Sequence, residues 1–307
     1  MLLIGDQDIQ DDQDYRVISG ELKLQFLRLA SGRSRNLYRT RIEGKGGILD
    51  IMGGIDDEER IGAVKQYFFG RSIDFLISLF STETSEVLAI FPGKKVTRIR
   101  TAAASALAAD ILSRKDSRVL GCIGAGYQAY EQIRAVSQIR PIEKVVVADT
   151  DPSKLKFFST GLKGKIDADI FAESEVNHKF KEADILITAT TSSTPVIAEE
   201  FIGTDCYINS IGSYTPQMRE IDRSTICGST VVAVDSIEET TRSAGEIIDA
   251  LSCGCIKIEE VNQFTDLVMG NVKKRKGAPR EGSYFKSIGV GIEDLAVAKY
   301  LYSYVKG

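Results

Sequence analysis

Two stretches hold the residue types from which chemistry is most readily built: Arg100-Thr101-Ala102-Ala103-Ala104-Ser105, and Val119-Leu120-Gly121-Cys122-Ile123-Gly124-Ala125-Gly126-Tyr127-Gln128-Ala129. Arg100 is a candidate anion clamp, and the second stretch is a candidate dinucleotide cradle. Gly124 permits a tight turn, Gly126 lets the backbone approach a pyrophosphate, and Ala129 keeps the following helix close to the strand. Together with Ala125, Tyr127 and Gln128 they form the expected cofactor-binding turn, where unpaired N–H groups at a helix N-terminus would receive the phosphates. Asp149 lies 149 − 126 = 23 residues past Gly126, near the position of an acid that binds ribose hydroxyls. An acid there favours NAD(H) over NADP(H).

The elements that must position these residues follow from the apolar pattern. Continuous apolar runs predict strands near 119–123, 144–148, 167–171, 184–190, 206–211 and 230–235, several of them separated by helical patterns, as in a parallel sheet with right-handed crossovers. Small or polar residues at the strand ends, Thr190, Thr191 and Ser192, then Asn209, Ser210, Gly212 and Ser213, then Asp235, would face a cofactor crevice. The first 100 residues read differently. They suggest a helix around Glu21 to Ala30, short strand-like pieces divided by Gly44, Gly46-Gly47 and Gly53-Gly54, and a hairpin from Ile73–Phe80 and Glu86–Phe91. An amphipathic helix over Gly291–Leu301 could return to this first region. The expected fold class is therefore α/β: a dinucleotide-binding domain with a parallel sheet at 113–289, and a discontinuous α+β domain at 1–112 and 290–307.

Length and composition agree, since 307 residues suggest two domains and 43% hydrophobic content supports substantial cores. A formal charge of −4 and a pI near 5.4 give no electrostatic reason to expect nucleic acid or an anionic membrane as partner. No basic leader and no long apolar run stands out, so a cytoplasmic protein is expected. The five cysteines, scattered and odd in number, suit reduced thiols. Cys253-Gly254-Cys255 has no second pair or nearby histidine to complete a ligand set, and no metal is expected. His178, the sole histidine, falls in a polar run and reads as surface. A proton donor would then come from Lys, Asp, Glu, Tyr or Cys. The run Lys273-Lys274-Arg275-Lys276 reads as a solvated loop.

These features resemble the ornithine cyclodeaminase and mu-crystallin superfamily, which also holds archaeal-type alanine dehydrogenases and reductases of cyclic imino acids. Arg100–Ser105 leading to Gly124–Ala129 carries most of the resemblance, supported by Asn209-Ser210-Ile211-Gly212 and Ser287-Ile288-Gly289. The resemblance implies a Rossmann-type NAD(H) domain plus a substrate domain that dimerises through its sheet, giving a homodimer. It extends the cofactor contacts to Thr101, Ile211, Ser213 and Ser287. It places Arg39 and Arg100 at a substrate carboxylate, whose geometry suits two guanidinium forks. Lys65 looks like the family lysine that contacts substrate and assists proton transfer.

Two departures from the cyclodeaminase pattern matter. Ser213 stands where cyclodeaminases carry an aspartate, and a serine cannot act as a base at neutral pH without a partner. The segment after Lys65 passes directly through Gln66-Tyr67-Phe68-Phe69 into the hairpin. With Lys65 and Ser213 as the catalytic candidates, the resemblance implies an oxidoreductase acting on the C2–N bond of a small amino or imino acid. The candidate chemistries are reduction of a cyclic imine such as pyrroline-2-carboxylate and alanine-dehydrogenase chemistry. The alternatives are cyclodeamination of ornithine with catalytic NAD and a binding role without turnover. Tyr67, Phe68 and Phe69 would either wall the pocket or belong to the core.

Overall fold

The computed structural model describes residues 1–306 and divides the chain into two compact units, Met1–Ala104 with Gly289–Gly307, and Ser105–Ile288.

The first unit is built on a six-stranded sheet. After β1 (Leu2–Leu3), helix α1 (Tyr15–Ala30) starts at Asp14, whose carboxylate accepts from Arg16 N at 3.0 Å. That cap places the start several residues ahead of the expected helix. A meander follows: β2 (Ser34–Gly44), β3 (Gly47–Asp56), β4 (Ile61–Phe69), β5 (Ile73–Ser81) and β6 (Val87–Pro92), with β1 parallel to β6 at the edge. The glycine-divided short pieces expected here are instead two long strands. Gly44 to Gly47 makes the hairpin between them, but Gly53 and Gly54 lie inside β3. Strand periodicity gives the sheet two faces. Asp50, Met52, Lys65, Tyr67, Ile77 and Leu79 point to the inner face and are buried, whereas Leu37, Ile42, Ile55, Phe68 and Leu76 lie on the outer face and are exposed. Phe68 is therefore no wall of an inner pocket. Helix α2 (Gly93–Leu112) follows β6 and carries Arg100 and Thr101.

The second unit is an eight-stranded sheet in which every pairing is parallel. Its elements run β7 (Val119–Ile123), α3 (Tyr127–Ile139), β8 (Lys144–Ala148), α4 (Pro152–Leu162), β9 (Asp169–Glu173), β10 (Ile185–Thr188) and β11 (Tyr207–Ser210). They continue with α5 (Arg223–Gly228), β12 (Ser229–Val234), α6 (Ile237–Ser243), α7 (Gly245–Ser252), β13 (Val261–Gln263), α8 (Phe264–Val268) and β14 (Arg280–Lys286). The order is β13-β12-β14-β11-β10-β7-β8-β9. Connections from β7 leave in one direction to β8, and β10 lies on the other side, so the strand order reverses between β7 and β10. In open α/β sheets that reversal opens a crevice at the carboxyl ends. The six expected strands are present. β13 and β14 were not expected, because β14 reads Arg-Glu-Gly-Ser-Tyr-Phe-Lys and lacks an apolar run.

The chain then returns to the first unit as α9 (Gly291–Lys306), which packs on β2 to β5. Its N-terminus sits directly on β3: a side chain at Gly291 would collide with the Gly53 backbone, and one at Gly54 would meet Ile292 Cγ2 at 2.8 Å. The glycine pair in mid-strand thus admits a helix rather than ending the strand.

The expectation of reduced thiols is corrected at one pair. Cys227 and Cys255 form a disulfide with Cα atoms 5.5 Å apart. Packing of α5 against α7 joins cysteines that lie 28 residues apart in sequence. Cys122 and Cys206 are buried free thiols and Cys253 is an exposed one. His178 is exposed, as read from the sequence. Among the described residues no helix is long and apolar enough to cross a membrane.

Candidate active site

In the first unit the strand alternation of β4 turns Lys65 inward, where it is 2% exposed. Its Nζ lies 3.3 Å from Asp294 Oδ1, and 5.5 and 5.4 Å from the ring centroids of Tyr67 and Phe75. Arg100 reaches the same place from α2: Nη1 donates to Glu293 Oε2 at 2.9 Å, and Nε lies 3.5 Å from Asp294 Oδ1. Arg39, half-buried on β2, donates to Gly289 O at 3.4 Å. Arg41 is different, because Asp50 takes it bidentately at 2.8 and 2.7 Å. The three expected substrate residues, Arg39, Lys65 and Arg100, are thereby brought together.

Their electrostatics follow from burial. Desolvation pushes the Lys65 amine down, Asp294 opposes that, and the charges of Arg100 and Arg39 add to it, leaving a pKa of about 8. Such an amine is largely ammonium at neutral pH yet gives up its proton readily. Burial also holds the Tyr67 hydroxyl well above its ordinary range, so it stays protonated. Glu293 and Asp294, the residues that organise this cluster, were missed. Acids in the first turn of a helix ordinarily complement its dipole at the surface, but here both are fully buried.

In the second unit Gly124 adopts φ +98°, and a Cβ there would meet Ala189 O at 2.5 Å, so the turn after β7 requires glycine. Gly126 is the N-cap of α3; no side chain caps the helix, and nothing lies within 4 Å of a Cβ built on it. Ala129 is fully buried against the sheet. Half-buried Asp149 accepts from Ala125 N at 2.8 Å and from Asp151 N at 2.9 Å, which fixes the carboxylate beside the glycine turn. A cavity of about 640 Å³ opens there, lined among others by Gly124, Gly126, Asp149, Thr150, Thr190 and Thr191. An uncapped helix N-terminus, a bare glycine and a held carboxylate at the rim of one cavity fit a dinucleotide. Tyr127 is largely exposed, and Gln128 Oε1 is buried without a partner.

Behind the crevice stands a buried polar network. Glu220 accepts from the N–H groups of Thr190, Gly212 and Ser213 at 2.6, 2.6 and 3.2 Å, tying the loop after β10 to the loop after β11. Ser213 donates to Glu246 Oε2 at 2.8 Å and accepts from Lys286 Nζ at 2.6 Å. Tyr284 also donates to Glu246, at 2.8 Å, and Lys286 Nζ lies 3.1 Å from it. Burial pushes the Glu246 carboxyl up, but Lys286 and the hydroxyls of Ser210 and Ser213 outweigh it and hold the group ionised. The Ser213 hydroxyl therefore has charged partners and a fixed orientation. Ser287 donates to Asp235 at 3.1 Å, Ile211 N to Thr188 O at 3.0 Å, and Thr101 bonds back to Thr97 O within α2 at 2.7 Å. Glu220, Glu246 and Lys286 were also missed, since charged residues are seldom placed in a core.

The chain is 32% identical over 254 residues to a Delta(1)-pyrroline-2-carboxylate reductase of Bacillus thuringiensis subsp. konkukian (strain 97-27), covering 83% of this chain and 76% of that protein. It is 34% identical over 227 residues to an alanine dehydrogenase of Archaeoglobus fulgidus, covering 74% and 69%. The structure of Thermococcus litoralis Delta(1)-pyrroline-2-carboxylate reductase in complex with NADH and L-proline superposes with a TM-score of 0.91 at 32% identity, covering 99% of this chain and 97% of that one. The family model for the ornithine cyclodeaminase/mu-crystallin family matches residues 9–307. This chain belongs to that family.

Proposed function

We propose that the protein is an NADH-dependent reductase of small 2-imino acids, with the cyclic imine Δ1-pyrroline-2-carboxylate as its substrate and L-proline as the product. The observation that carries this reading is the buried Lys65 amine, 3.3 Å from an Asp294 oxygen that Arg100 also approaches at 3.5 Å. The likeness to reductases of that imine over most of the chain supports it.

The cofactor supplies a hydride when bound, and the chain's residues do the rest. Arg100, with Arg39, pairs with the substrate carboxylate, whose two oxygens match the fork of a guanidinium. Lys65 donates a proton to the nitrogen as C2 is reduced, and Asp294 keeps the ammonium in place between reactions. Tyr67 and Phe75 keep water from the amine. In the second unit, residues Gly124 to Ala129 hold the pyrophosphate, Asp149 the ribose hydroxyls, and the Glu220 clamp steadies Thr190 and Gly212 around the crevice. Thr191 adds to the crevice lining, and the buried hydroxyls of Ser213 and Ser287 are held by Glu246 and Asp235. Ser213 stands where the cyclodeaminase pattern has an aspartate, and its hydroxyl is taken up by Glu246 and Lys286, which favours net reduction.

A second copy of the chain would cover the outer face of the first sheet, where Leu37, Ile42, Ile55, Phe68 and Leu76 are between 37% and 58% exposed. An apolar face of that kind marks an interface, and sedimentation at micromolar concentration should give a homodimer. The setting we infer is the cytoplasm.

The test is absorbance at the nicotinamide band after mixing protein, NADH and Δ1-pyrroline-2-carboxylate, with a control lacking the imine. Stoichiometric loss of signal is expected. No loss would overturn the reading; consumption with pyruvate and ammonium instead would assign alanine-dehydrogenase chemistry, and ammonia from ornithine without net NADH change would assign cyclodeamination.

A further inference from the structure

Along the chain the Cys253-Gly254-Cys255 pair has no neighbouring cysteine; the fold supplies one. Cys227, at the end of α5, joins the pair in the turn after α7, and the three Sγ atoms lie within 4.8 Å of one another. The sulfurs of Cys253 and Cys255 both sit against the carbonyl of Ala250, at 3.3 and 3.4 Å. Cys227 and Cys255 are bonded and half-buried, while Cys253 is an exposed thiol. Arg275, expected in a solvated loop, turns inward instead. Its guanidinium donates to the carbonyls of Cys227 and Cys255 at 2.6 and 2.8 Å, with Glu260 at 3.8 Å as its acidic partner. These bonds fix the backbone on both sides of the disulfide, so that the exposed Cys253 sulfur is held beside the bonded pair.

We propose that these three residues form a thiol–disulfide exchange site at which small thiols and disulfides react, with Cys253 as the exchange thiol. The Cys253 thiolate attacks Cys227 Sγ, a Cys227–Cys253 bond forms, and the Cys227–Cys255 bond breaks. Cys255 leaves as a thiolate and takes up the proton that Cys253 lost, so the step is redox-neutral. The exchange moves the disulfide from two half-buried sulfurs to one that includes an exposed sulfur, where an external dithiol can reduce it. The bridge ties the end of α5 to the turn after α7, and α7 carries Glu246 in its first turn while Glu220 lies just ahead of α5. Its redox state therefore bears on the elements that brace the loops after β10 and β11.

Two cysteine variants of the full chain test this. Peptide mapping of the Cys255→Ser protein after denaturing alkylation without reductant should find Cys227 joined to Cys253. In a time course with dithiothreitol, reduction of the wild-type bridge should outpace that of Cys253→Ser by about tenfold, since the variant has lost the internal nucleophile. Cys253→Ala serves as a second variant if the serine protein folds poorly by circular dichroism. Equal reduction rates, or free Cys227 and Cys253 thiols in the Cys255→Ser protein after equilibration with oxidised glutathione, would overturn the proposal.

Discussion

Lys65 and Arg100 present charged side chains, each held by an acid on the first turn of α9, whereas the turn at Gly124 and Gly126 presents bare backbone and an open cavity. In the first unit the chemistry depends on buried charges set against one another. In the second it depends on where the backbone leaves room, with charges kept behind the crevice at Glu220, Glu246 and Lys286. A substrate carboxylate needs a cation and an imine nitrogen a movable proton, which burial loosens on Lys65. A pyrophosphate needs N–H groups and close approach, which tolerate almost no side chain. Substitutions in the first unit should therefore alter chemistry and substrate affinity without touching the nucleotide, and substitutions in the second should do the reverse.

The largest effect is expected at Lys65. Lys65→Met removes the proton donor and should lower kcat for imine reduction by about 10²- to 10⁴-fold, while NADH affinity by fluorescence titration stays unchanged. Parallel loss of both would break the division between the units. Next is Arg100→Ala, which deletes the carboxylate's partner. Truncating one member of a buried charge pair costs about 2–5 kcal/mol, so KM for the imino acid should rise by at least ~30-fold. It also removes the guanidinium that faces Glu293, fully buried, so a lower melting temperature should accompany the kinetic change. Wild-type thermal stability in the variant would show that the Arg100–Glu293 pair adds nothing net to folding.

The sequence was legible where one residue type answers one physical need. The strands of the parallel sheet are apolar because both faces are covered, and the glycine turn, Ala129 and Asp149 each have a geometric reason to be what they are. It was less legible where a residue does something other than its type suggests. Gly53 and Gly54 looked like breaks and instead admit α9 at Gly291. Arg280, Ser283 and Lys286 are buried in β14, which hid that strand. Glu293, Asp294, Glu220 and Glu246 are acids in the core, each explained by a cation or N–H group remote in sequence, so local pattern could not reveal them. Cys227 and Cys255 were out of reach for the same reason.

A smaller effect is expected on the nucleotide side. Asp149→Ala should weaken NADH binding by about tenfold, the loss of a hydrogen bond to a charged acceptor, and reduce discrimination against NADPH, with KM for the imine unchanged. Unaltered NADH affinity in this variant would show that Asp149 serves only to brace Ala125 and Asp151.

The subtlest test concerns Asp294, which touches the chemistry through Lys65 at 3.3 Å and through Arg100 at 3.5 Å. Reduction needs the ammonium form, so its rate should fall as pH rises through about 8, and the reverse oxidation of L-proline, which needs the free amine, should rise through the same value. Asp294 favours the charged form, while Arg100 and Arg39 oppose it. Asp294→Asn removes the favourable charge and keeps the unfavourable ones, so both limbs should move to lower pH, with a modest change in the plateau rate and none in NADH affinity. A pH profile whose limbs stay in place would assign them to another group, and would mean that the pair at 3.3 Å positions Lys65 without tuning it.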